Sequence, residues 1–336
     1  MTDIAPVAPQ RAGHSGLTFT LLTIGRGLLS LALIVVLGFF LFRVLPGDPI
    51  RTMTRDRPGD LAALDRLRAE FGLDKPLPAQ FVDFLGDLAH GDLGTSYLYG
   101  QPVAQLVLGR LWPTVLLTGT ALVIAVALGL WIGSRAAWRH GSTFDRLTTS
   151  TALVLWSVPT FWLGLIVLMV FAVGLNLFPT GGMTSPGGVD GFFPATLDVL
   201  HHLALPCLTM VAVVYAQYLM VMRSSLLEEM SADYLTTARA KGLRDDVVRR
   251  RHAVPNALLP TVTIIFLNVG LVVAGAVTVE TVFSWPGLGL LTYQALAVPD
   301  LPLLQGTLIT LSAAVVVMNV VADLLYRLVD PRVRTA

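Results

Sequence analysis

Long apolar segments, separated by polar connections, dominate this sequence. Six of them stand out: Leu21–Leu45, Leu111–Ser134, Thr151–Leu175, Leu203–Met222, Ala257–Val279 and Leu301–Ala322. Each approaches or exceeds the length of about 20 residues that an α-helix needs to cross about 30 Å of hydrocarbon. Pro159 lies inside the third segment and predicts a kink there. The pattern therefore predicts an all-α integral membrane protein with six transmembrane helices and both termini on one side of the membrane.

The connections divide the chain further. We expect a tail at residues 1–20, a first transmembrane helix at 21–45, a small helical segment at 46–110, a five-helix core at 111–328 and a second tail at 329–336. Apolar side chains at helical spacing predict two short helices in the segment 46–110: Leu61, Leu64, Leu67 and Phe71, and then, after Pro78, Phe81, Phe84, Leu85 and Leu88. These two faces favour a packed cap over the outer mouth of the protein, with a solvated spacer as the alternative.

Composition points to the same class. The chain is 54% hydrophobic and 13% charged, whereas a soluble domain carries about 25% charged residues. A soluble protein this apolar would lack the polar side chains to cover its surface. The net charge of +1 gives no indication of nucleic acid as a partner. The single cysteine, Cys207, leaves no intrachain disulfide to form, and we expect it to be a small buried apolar residue.

The distribution of basic residues predicts the orientation. With a cytoplasmic N-terminus, the inner parts hold Arg11, Arg26, Arg135, Arg139, Arg146, the seven basic residues from Arg223 to Arg251, and Arg327, Arg332 and Arg334. The outer connections 176–202 and 280–300 hold none. Residues 46–110 hold seven basic residues, but nine acidic ones exceed them and the segment is longer than the short loops on which the positive-inside rule is counted. We therefore expect both termini to be cytoplasmic.

A polar segment, Asp233 to Pro255 with the sequence DYLTTARAKGLRDDVVRRRHAVP, interrupts the apolar pattern within the cytoplasmic connection 223–256. Ser231 is positioned to cap a first helix, and Gly242 is positioned to end it. A second helix is predicted to begin at Asp245, as its cap, and to end at His252 before Pro255. The alternative is a loop that is basic only for reasons of topology. Its helical pattern and its mixture of acidic and basic residues favour a binding surface.

The polar segment resembles the EAA loop of ATP-binding-cassette (ABC) importer permeases. Its small-residue triplet is Thr236-Thr237-Ala238, its glycine is Gly242, and Val254-Pro255 matches the hydrophobic-proline ending. Two positions depart from the general pattern: Thr236 replaces a glutamate, and His252 replaces a hydrophobic residue. The string DYLTTARAKGL is nevertheless similar to the oligopeptide, dipeptide and nickel branch of the family, in which the triplet commonly lacks glutamate.

Four further motifs match that branch, in order and at the expected topological positions. They are Leu45-Pro46-Gly47-Asp48-Pro49, Gly91-Asp92-Leu93-Gly94-x-Ser96, Glu280-Thr281-Val282-Phe283-Ser284-Trp285-Pro286-Gly287-Leu288-Gly289 and Asp330-Pro331-Arg332. The resemblance covers residues from about 20 to 332. It implies the MetI-like fold of type I ABC importers, with a small extracytoplasmic helical segment after the first helix.

The resemblance also implies function and partners. Such permeases are not enzymes; they form half of a translocation pathway in the bacterial inner membrane. They pair with a second homologous permease, usually a different chain, with two ATPase subunits and with an extracytoplasmic substrate-binding protein. ATP and Mg²⁺ are bound by the ATPases, so no cofactor is expected in this chain. The absence of a G-x-x-x-x-G-K-[ST] loop from the sequence agrees with that division.

Two sets of site residues follow. The residues carried over from the family as the ATPase-docking site are Tyr234, Thr237, Ala238, Arg239, Ala240, Lys241, Gly242 and Leu243. The candidates for the translocation pathway, from their position in the spans, are Asn268, Glu280, Tyr215 and Gln217. Asn268 is more simply explained by a bond to a neighbouring helix. Glu280 at the outer end of the fifth span either meets a substrate amine or the binding protein, or is a solvated residue at the membrane interface.

The remaining alternatives concern the substrate and the class of protein. The expected substrates are di- and oligopeptides, with nickel or another small solute as the alternative within the family. An ion channel or an intramembrane enzyme would need a filter-like repeat or paired ionisable residues within the spans, and neither is visible. No metal site is expected, because adjacent His201 and His202 point about 100° apart on a helix.

Overall fold

A computed structural model describes residues 16–44 and 74–329. The helices in this part of the chain are α1 Gly16–Val44, α2 Leu77–Ala89, α3 Val103–Trp138, α4 Thr143–Ser157, α5 Thr160–Val167, α6 Phe192–Glu229, α7 Asp233–Ala240, α8 Asp245–Val248, α9 Val254–Val282, α10 Leu288–Ala297 and α11 Leu301–Val329. Two π-helical turns, Leu168–Gly174 and Arg249–Ala253, extend α5 and join α8 to α9. The protein is therefore helical, as the apolar periodicity predicts.

Four helices, α1, α3, α6 and α11, are long and apolar enough to cross a membrane, and the bent pair α4–α5 makes a fifth span if it counts as one. Helix α9 has 29 residues and is about 43 Å long at 1.5 Å per residue, but many of its side chains lie outside the described part. The structure thus supports a helical membrane protein with four or five spans among the described residues. The count of six stays a prediction.

The third span is sharply broken at Pro159. Helices α4 and α5 meet at an angle of 104°, and Val158 between them has extended backbone angles. Proline lacks an N–H and its ring disfavours a helical conformation of the preceding residue, which explains the break. The predicted kink at Pro159 is therefore present, in the form of a sharp break between two helices.

Helices α3 and α6 pack against each other at the centre of the bundle, and glycines of α3 allow this close contact. A Cβ added at Gly129 would lie 2.6 Å from the Cβ of Tyr218, and one at Gly133 would lie 2.6 Å from the carbonyl oxygen of Leu219. Small residues allow two membrane helices to approach this closely. Cys207 of α6 is buried in the same core, as expected for a small apolar residue.

Helix α2 appears where the apolar spacing after Pro78 predicts it, and Gly91 follows it with a φ of +78°. Its Phe81 and Phe84 rings pack against Phe39 of α1, with centroid separations of 5.1 and 5.3 Å. This contact buries Phe39 to 1% exposure. The segment is packed rather than a free spacer at this point. The helix predicted from the spacing of Leu61–Phe71 lies outside the described residues.

Candidate functional site

Helix α7 lies across the end of the bundle with one face inward. Leu235 and Ala238, three residues apart, are buried in a cluster with Met222 and Leu226 of α6 and with Val248. The predicted cap is wrong. Ala232 stands at the N-cap, and the Ser231 hydroxyl donates instead to the carbonyl of Glu228, 2.8 Å away. Helix α6 continues as far as Glu229, and the carbonyl of Glu228 in its last turn accepts the bond from the Ser231 hydroxyl. That hydroxyl is therefore not available to cap α7.

The turn after α7 requires glycine for its backbone conformation. Gly242 has a φ of +77°, in the left-handed region that other residues rarely adopt. Its N–H donates to the carbonyl of Arg239 at 2.9 Å, and the N–H of Leu243 donates to that of Ala238 at 3.4 Å. No atom lies within 4 Å of a Cβ built on Gly242, so there is open space beside it. The turn is therefore as predicted, and its constraint is conformational rather than steric.

The second helix differs from the prediction at both ends. Helix α8 begins at Asp245, but its N-cap is Arg244 and the Asp245 carboxylate makes no cap. Through the π-helical turn the chain then continues without a break into α9, where Pro255 occupies the first turn. The predicted end at His252 is therefore wrong. Pro255 has no N–H to donate, and it follows directly on the π-helical turn, in which the N–H of Val254 donates to the carbonyl of Arg249.

The Asp245 carboxylate instead ties α7 and α8 to α3. Trp138 at the end of α3 donates its indole N–H to Oδ2 of Asp245 at 2.8 Å. Arg239 of α7 donates to Oδ1 at 3.2 Å, and its guanidinium lies 5.6 Å from the centroid of the Trp138 ring. These contacts hold the Gly242 turn close to the end of α3.

Tyr234 ties α7 to two further helices. Its hydroxyl donates to the carboxylate of Glu229 at the end of α6 and accepts a bond of 2.9 Å from the Asn256 amide of α9. Partial burial, together with the bond to Glu229, raises the pKa of Tyr234. The phenol therefore stays protonated as a donor at neutral pH.

Seven of the eight residues expected to dock an ATPase are exposed on this surface: Tyr234, Thr237, Arg239, Ala240, Lys241, Gly242 and Leu243. Ala238 is the exception, with 8% exposure, because it faces the bundle. We call α7 together with residues 241–243 the exposed α7 surface. The structure brings these seven residues together as one contiguous patch.

Glu280 is buried, with 0% exposure, so the expectation of a solvated interface residue is wrong. Its Oε1 accepts a hydrogen bond of 2.7 Å from the Thr114 hydroxyl. Its Oε2 accepts bonds from the backbone N–H groups of Gly289 at 2.7 Å and Leu290 at 3.1 Å. Glu280 therefore satisfies the free N–H groups at the start of α10, groups that a helix cannot satisfy internally.

The motif that follows Glu280 is built around this carboxylate. A Cβ at Gly287 would lie 2.3 Å from either carboxylate oxygen of Glu280, so no larger residue fits. The Leu288 N–H donates to the Thr114 hydroxyl at 2.8 Å, and the Trp285 indole donates to the carbonyl of Pro113 at 2.9 Å. We call this arrangement the Glu280 network. Sequence reasoning found Glu280 and the glycines but had no signal for Thr114.

A second buried carboxylate, which the sequence did not single out, joins the segment before α3 to α11. Asp300 accepts bonds from the Ser96 hydroxyl at 2.6 Å and from the Leu98 N–H at 2.9 Å. Gly94, with a φ of +81°, donates its N–H to Asp92 at 2.8 Å. The residues Gly91 to Ser96, which resemble a family motif, thus form a turn that presents Ser96 to Asp300.

The four pathway candidates are not assembled into one site by the described residues. Tyr215 is half-buried against the α3–α6 core, and Gln217 is half-buried two residues further along. Positions two apart on a helix point about 200° apart, so these two side chains diverge. The side chain of Asn268 lies outside the described residues.

The two adjacent histidines have different partners. The ring Nε2 of His201 lies 2.9 Å from the carbonyl of Leu177, and Nδ1 of His202 lies 2.8 Å from that of Asp198. The Asp198 carboxylate in turn accepts bonds from the Ser185 N–H and hydroxyl at 2.7 and 2.6 Å. His201 and Asp198 of α6 thus attach the connection that precedes α6 to that helix, and His202 bonds within the helix.

Comparison with known proteins identifies the family of this chain. Residues 125–335 match the family described as binding-protein-dependent transport system inner membrane component, and residues 17–118 match the corresponding N-terminal family. A putative peptide permease protein of Brucella suis is 40% identical over 315 residues, covering 93% of this chain and 97% of the relative. The dipeptide transport system permease protein DppB of Escherichia coli K12 is 36% identical over 321 residues, covering 90% and 94%.

Two further comparisons agree. The glutathione transport system permease protein GsiC of Pectobacterium atrosepticum is 38% identical over 310 residues, covering 92% of this chain and 96% of the relative. A structure titled as an inward facing conformation of the MetNI methionine ABC transporter superposes with a TM-score of 0.54 at 16% identity, covering 67% of this chain and 97% of that one, which shows the fold. The chain therefore belongs to the family of inner membrane components of binding-protein-dependent transport systems, the ABC importer permeases, and is a transport component rather than a catalyst.

Proposed function

We propose that this chain is one permease subunit of an ATP-driven importer of di- and oligopeptides and that the exposed α7 surface docks an ATPase subunit. The observation that supports docking is that one face of α7 is exposed while another face attaches the helix to the bundle. Thr237, Lys241 and Leu243 are open to a partner, while Leu235 and Ala238 hold the same helix against the bundle. A partner can therefore approach one face without disrupting the other.

Attachment to three long helices makes α7 suited to transmit movement. Asp245 links it to α3 through Trp138, and Tyr234 links it to α6 and α9. A displacement of α7 by a closing ATPase pair would be passed to all three helices at once. We propose that the bundle then alternates between inward-open and outward-open states.

The names of the relatives support a peptide substrate. They are called peptide, dipeptide and glutathione permeases, and a tripeptide such as glutathione shares the amide backbone and terminal charges of short peptides. Nickel or another small solute is the second candidate, as the sequence resemblance to the wider branch implies.

The proposed membrane topology is based on the distribution of arginine. We propose six spans, with both termini and α7 in the cytoplasm and with α2 and α10 on the outer side, because the connections 176–202 and 280–300 carry no basic residue. The complete transporter would contain a second, homologous permease, two ATPases that bind ATP and Mg²⁺, and an extracytoplasmic binding protein. Tyr215, Gln217 and Asn268 remain the proposed pathway residues.

Uptake by the reconstituted transporter tests the substrate. Proteoliposomes that hold the complete assembly, with ATP inside and the binding protein outside, should accumulate a labelled dipeptide, and an unlabelled tripeptide should compete with it. Labelled nickel should not accumulate under the same conditions. Nickel uptake without peptide uptake would overturn the peptide assignment while leaving the ATP-driven permease in place.

Replacing Gly242 tests the docking. Gly242→Val should reduce ATP-driven uptake about tenfold or more, because a left-handed conformation costs a non-glycine residue about 1–2 kcal/mol and a β-branched one more. The expected cause is a displaced turn that fits the ATPase poorly. The measurements are uptake in proteoliposomes and the ATPase retained on affinity-tagged permease.

Two matched variants separate docking from backbone strain. Gly242→Asn should retain most activity, because asparagine tolerates the left-handed region. Gly187→Val imposes strain at a φ of +89°, also with open space around it, but outside the exposed α7 surface. Equal loss of ATPase from Gly187→Val and Gly242→Val, or normal uptake by Gly242→Val, would contradict docking at α7.

A further inference from the structure

Four arginines gather where the end of α3 meets the π-helical turn before α9. Ala137 of α3 is buried in one cluster with Val248, the residue before that turn, and with Ala253, its last residue. Arg135 in the last turn of α3 and Arg139, the residue after its end, lie close enough to Arg249 for their charges to act on it, as does that of Arg250. Two separate elements thus converge on one basic patch, which we call the Arg135 patch and define as Arg135, Arg139, Arg249 and Arg250.

The four guanidinium groups of the patch form no ion pair with a described carboxylate. Among residues 16–44 and 74–329, no carboxylate lies within ion-pair distance of any of its four guanidinium groups. The acidic residue nearest to it in sequence, Asp246, is 3.3 Å from Arg244. Partial burial and the neighbouring charges of Arg135, Arg250 and Arg139 lower the pKa of Arg249, against a smaller opposing effect of the Asp246 carboxylate. Like charges held together in this way favour the binding of an anion.

Trp131 indicates where the anion comes from. Its side chain is 53% exposed, and the Arg135 guanidinium lies 4.0 Å above its ring. Trp131 and Arg135 are four residues apart and so share one face of α3, and Arg139 follows directly after its end. Trp131 lies three residues before the end of the apolar segment Leu111–Ser134, and a tryptophan near the end of a membrane-spanning apolar segment lies at the level of the lipid headgroups. The arginine stacked on it is therefore held, by a cation–π contact, at the depth of lipid phosphates.

We propose that the Arg135 patch is a binding site for the phosphate group of an anionic phospholipid in the cytoplasmic leaflet. Arg135 and Arg139 would approach the phosphate from α3 and Arg249 from the turn, since planar guanidinium groups bind phosphate oxygens in pairs. Trp131 would lie against the glycerol and the upper acyl chains. Basic pockets between helices on the cytoplasmic side are a known type of lipid site.

The site would connect lipid to the exposed α7 surface. Asp245, which begins the helix that leads into Arg249, is also bonded to Trp138 and Arg239. A bound phosphate would thus neutralise the patch only a few residues from the link between α3 and α7. The inference uses the proposed orientation to name the leaflet and is independent of the substrate.

Native mass spectrometry of the complete transporter tests the site. The purified assembly is titrated with phosphatidylglycerol or cardiolipin, and with phosphatidylethanolamine as the zwitterionic control. Arg135→Gln should weaken retention of the anionic lipids about fivefold, the factor that corresponds to ~1 kcal/mol per basic side chain near an anionic membrane. Arg249→Gln should do the same, and Arg135→Lys should keep most of the retention.

Arg146→Gln is the matched control, because Arg146 is an exposed arginine on α4 outside the patch. It should leave lipid retention unchanged. Equal weakening by Arg146→Gln would indicate general surface charge and overturn the proposal, as would no weakening by both patch variants. Loss of the ATPase from Arg135→Gln with unchanged lipid retention would assign the patch to a protein partner instead. Replacing the buffer with inorganic phosphate in a lipid-free preparation should not reproduce the adduct, since a free ion lacks the contact with Trp131.

Discussion

Arg223→Ala is expected to destabilise the folded protein by about 3 kcal/mol, because it leaves the buried carboxylate of Asp145 without its cation. The guanidinium of Arg223 on α6 donates to Oδ1 of Asp145 at 2.6 Å and to Oδ2 at 2.9 Å. Asp145 is 2% exposed and also accepts from the Gly141 N–H at 3.0 Å. The pair therefore joins the start of α4 to α6.

The size of this effect lies at the lower end for a broken buried ion pair, for which losses are about 3–5 kcal/mol. Nδ1 of His140 lies 3.3 Å from Oδ2 of Asp145 and remains after the substitution. The measurement is the temperature at which the purified protein loses its monodisperse elution peak. We expect a fall of roughly 5 °C, since the shift is about 2–4 °C per kcal/mol for 150–250 residues and becomes smaller in longer chains.

Three variants test whether the loss of stability comes from the ion pair of Asp145 with Arg223. Arg223→Lys should retain part of the stability, because the charge stays but the two-pronged geometry is lost. The double variant Asp145→Asn with Arg223→Gln should be more stable than Arg223→Ala, since no buried charge is left alone. Arg146→Ala, an exposed arginine one residue from Asp145, should change stability by no more than about 0.5 kcal/mol. A melting temperature for Arg223→Ala that equals that of Arg146→Ala would contradict the role of the pair.

Glu280→Ala is expected to destabilise the protein by about 3 kcal/mol or more. The substitution removes the acceptor for three donors, the Thr114 hydroxyl and the N–H groups of Gly289 and Leu290. Each buried donor left unsatisfied costs about 1–3 kcal/mol. Some of this cost is recovered where water enters the space left by the carboxylate. The start of α10 should then be held to α3 less firmly, by the remaining bonds of the Leu288 N–H and the Trp285 indole.

Thermal stability and uptake, measured side by side, distinguish the Glu280 network from a pathway role. Glu280→Gln should lose less stability than Glu280→Ala, because its amide keeps one oxygen acceptor but turns an NH₂ group toward backbone donors. Thr114→Val combined with Glu280→Ala should cost less than the sum of the two, since both act on one network. A Glu280→Ala protein with normal stability but without uptake would contradict the structural role and return Glu280 to the translocation pathway.

Local features of this chain could be predicted because their causes are local. The apolar face of α2 needs only the spacing of Phe81, Phe84 and Leu88, which the helical period decides. The turn at Gly242 needs only a residue that tolerates a positive φ. The exposure of the α7 surface could also be predicted, because small and basic residues in a connection between two spans have few apolar neighbours to pack against.

Predictions that depended on competition between partners were wrong or incomplete. Ser231 and Asp245 both have the chemistry of a helix cap, yet Ser231 bonds to Glu228 and Asp245 bonds to Trp138 and Arg239. A capping side chain has several acceptors or donors within reach, and only the packed structure decides which it takes. The same holds for Pro255, which the π-helical turn accommodates in the first turn of α9.

By itself, the sequence determined the class of protein, the positions of the apolar helices, the place of the polar segment and the family, since these depend on composition, period and short motifs. Only the tertiary structure decided which polar groups are buried together. Asp145 meets Arg223 across 78 positions, Glu280 meets Thr114 across 166, and Ser96 meets Asp300 across 204. The physical reason is that a buried carboxylate takes whichever donors the packing brings to it, and along the chain nothing marks a donor that lies so far away.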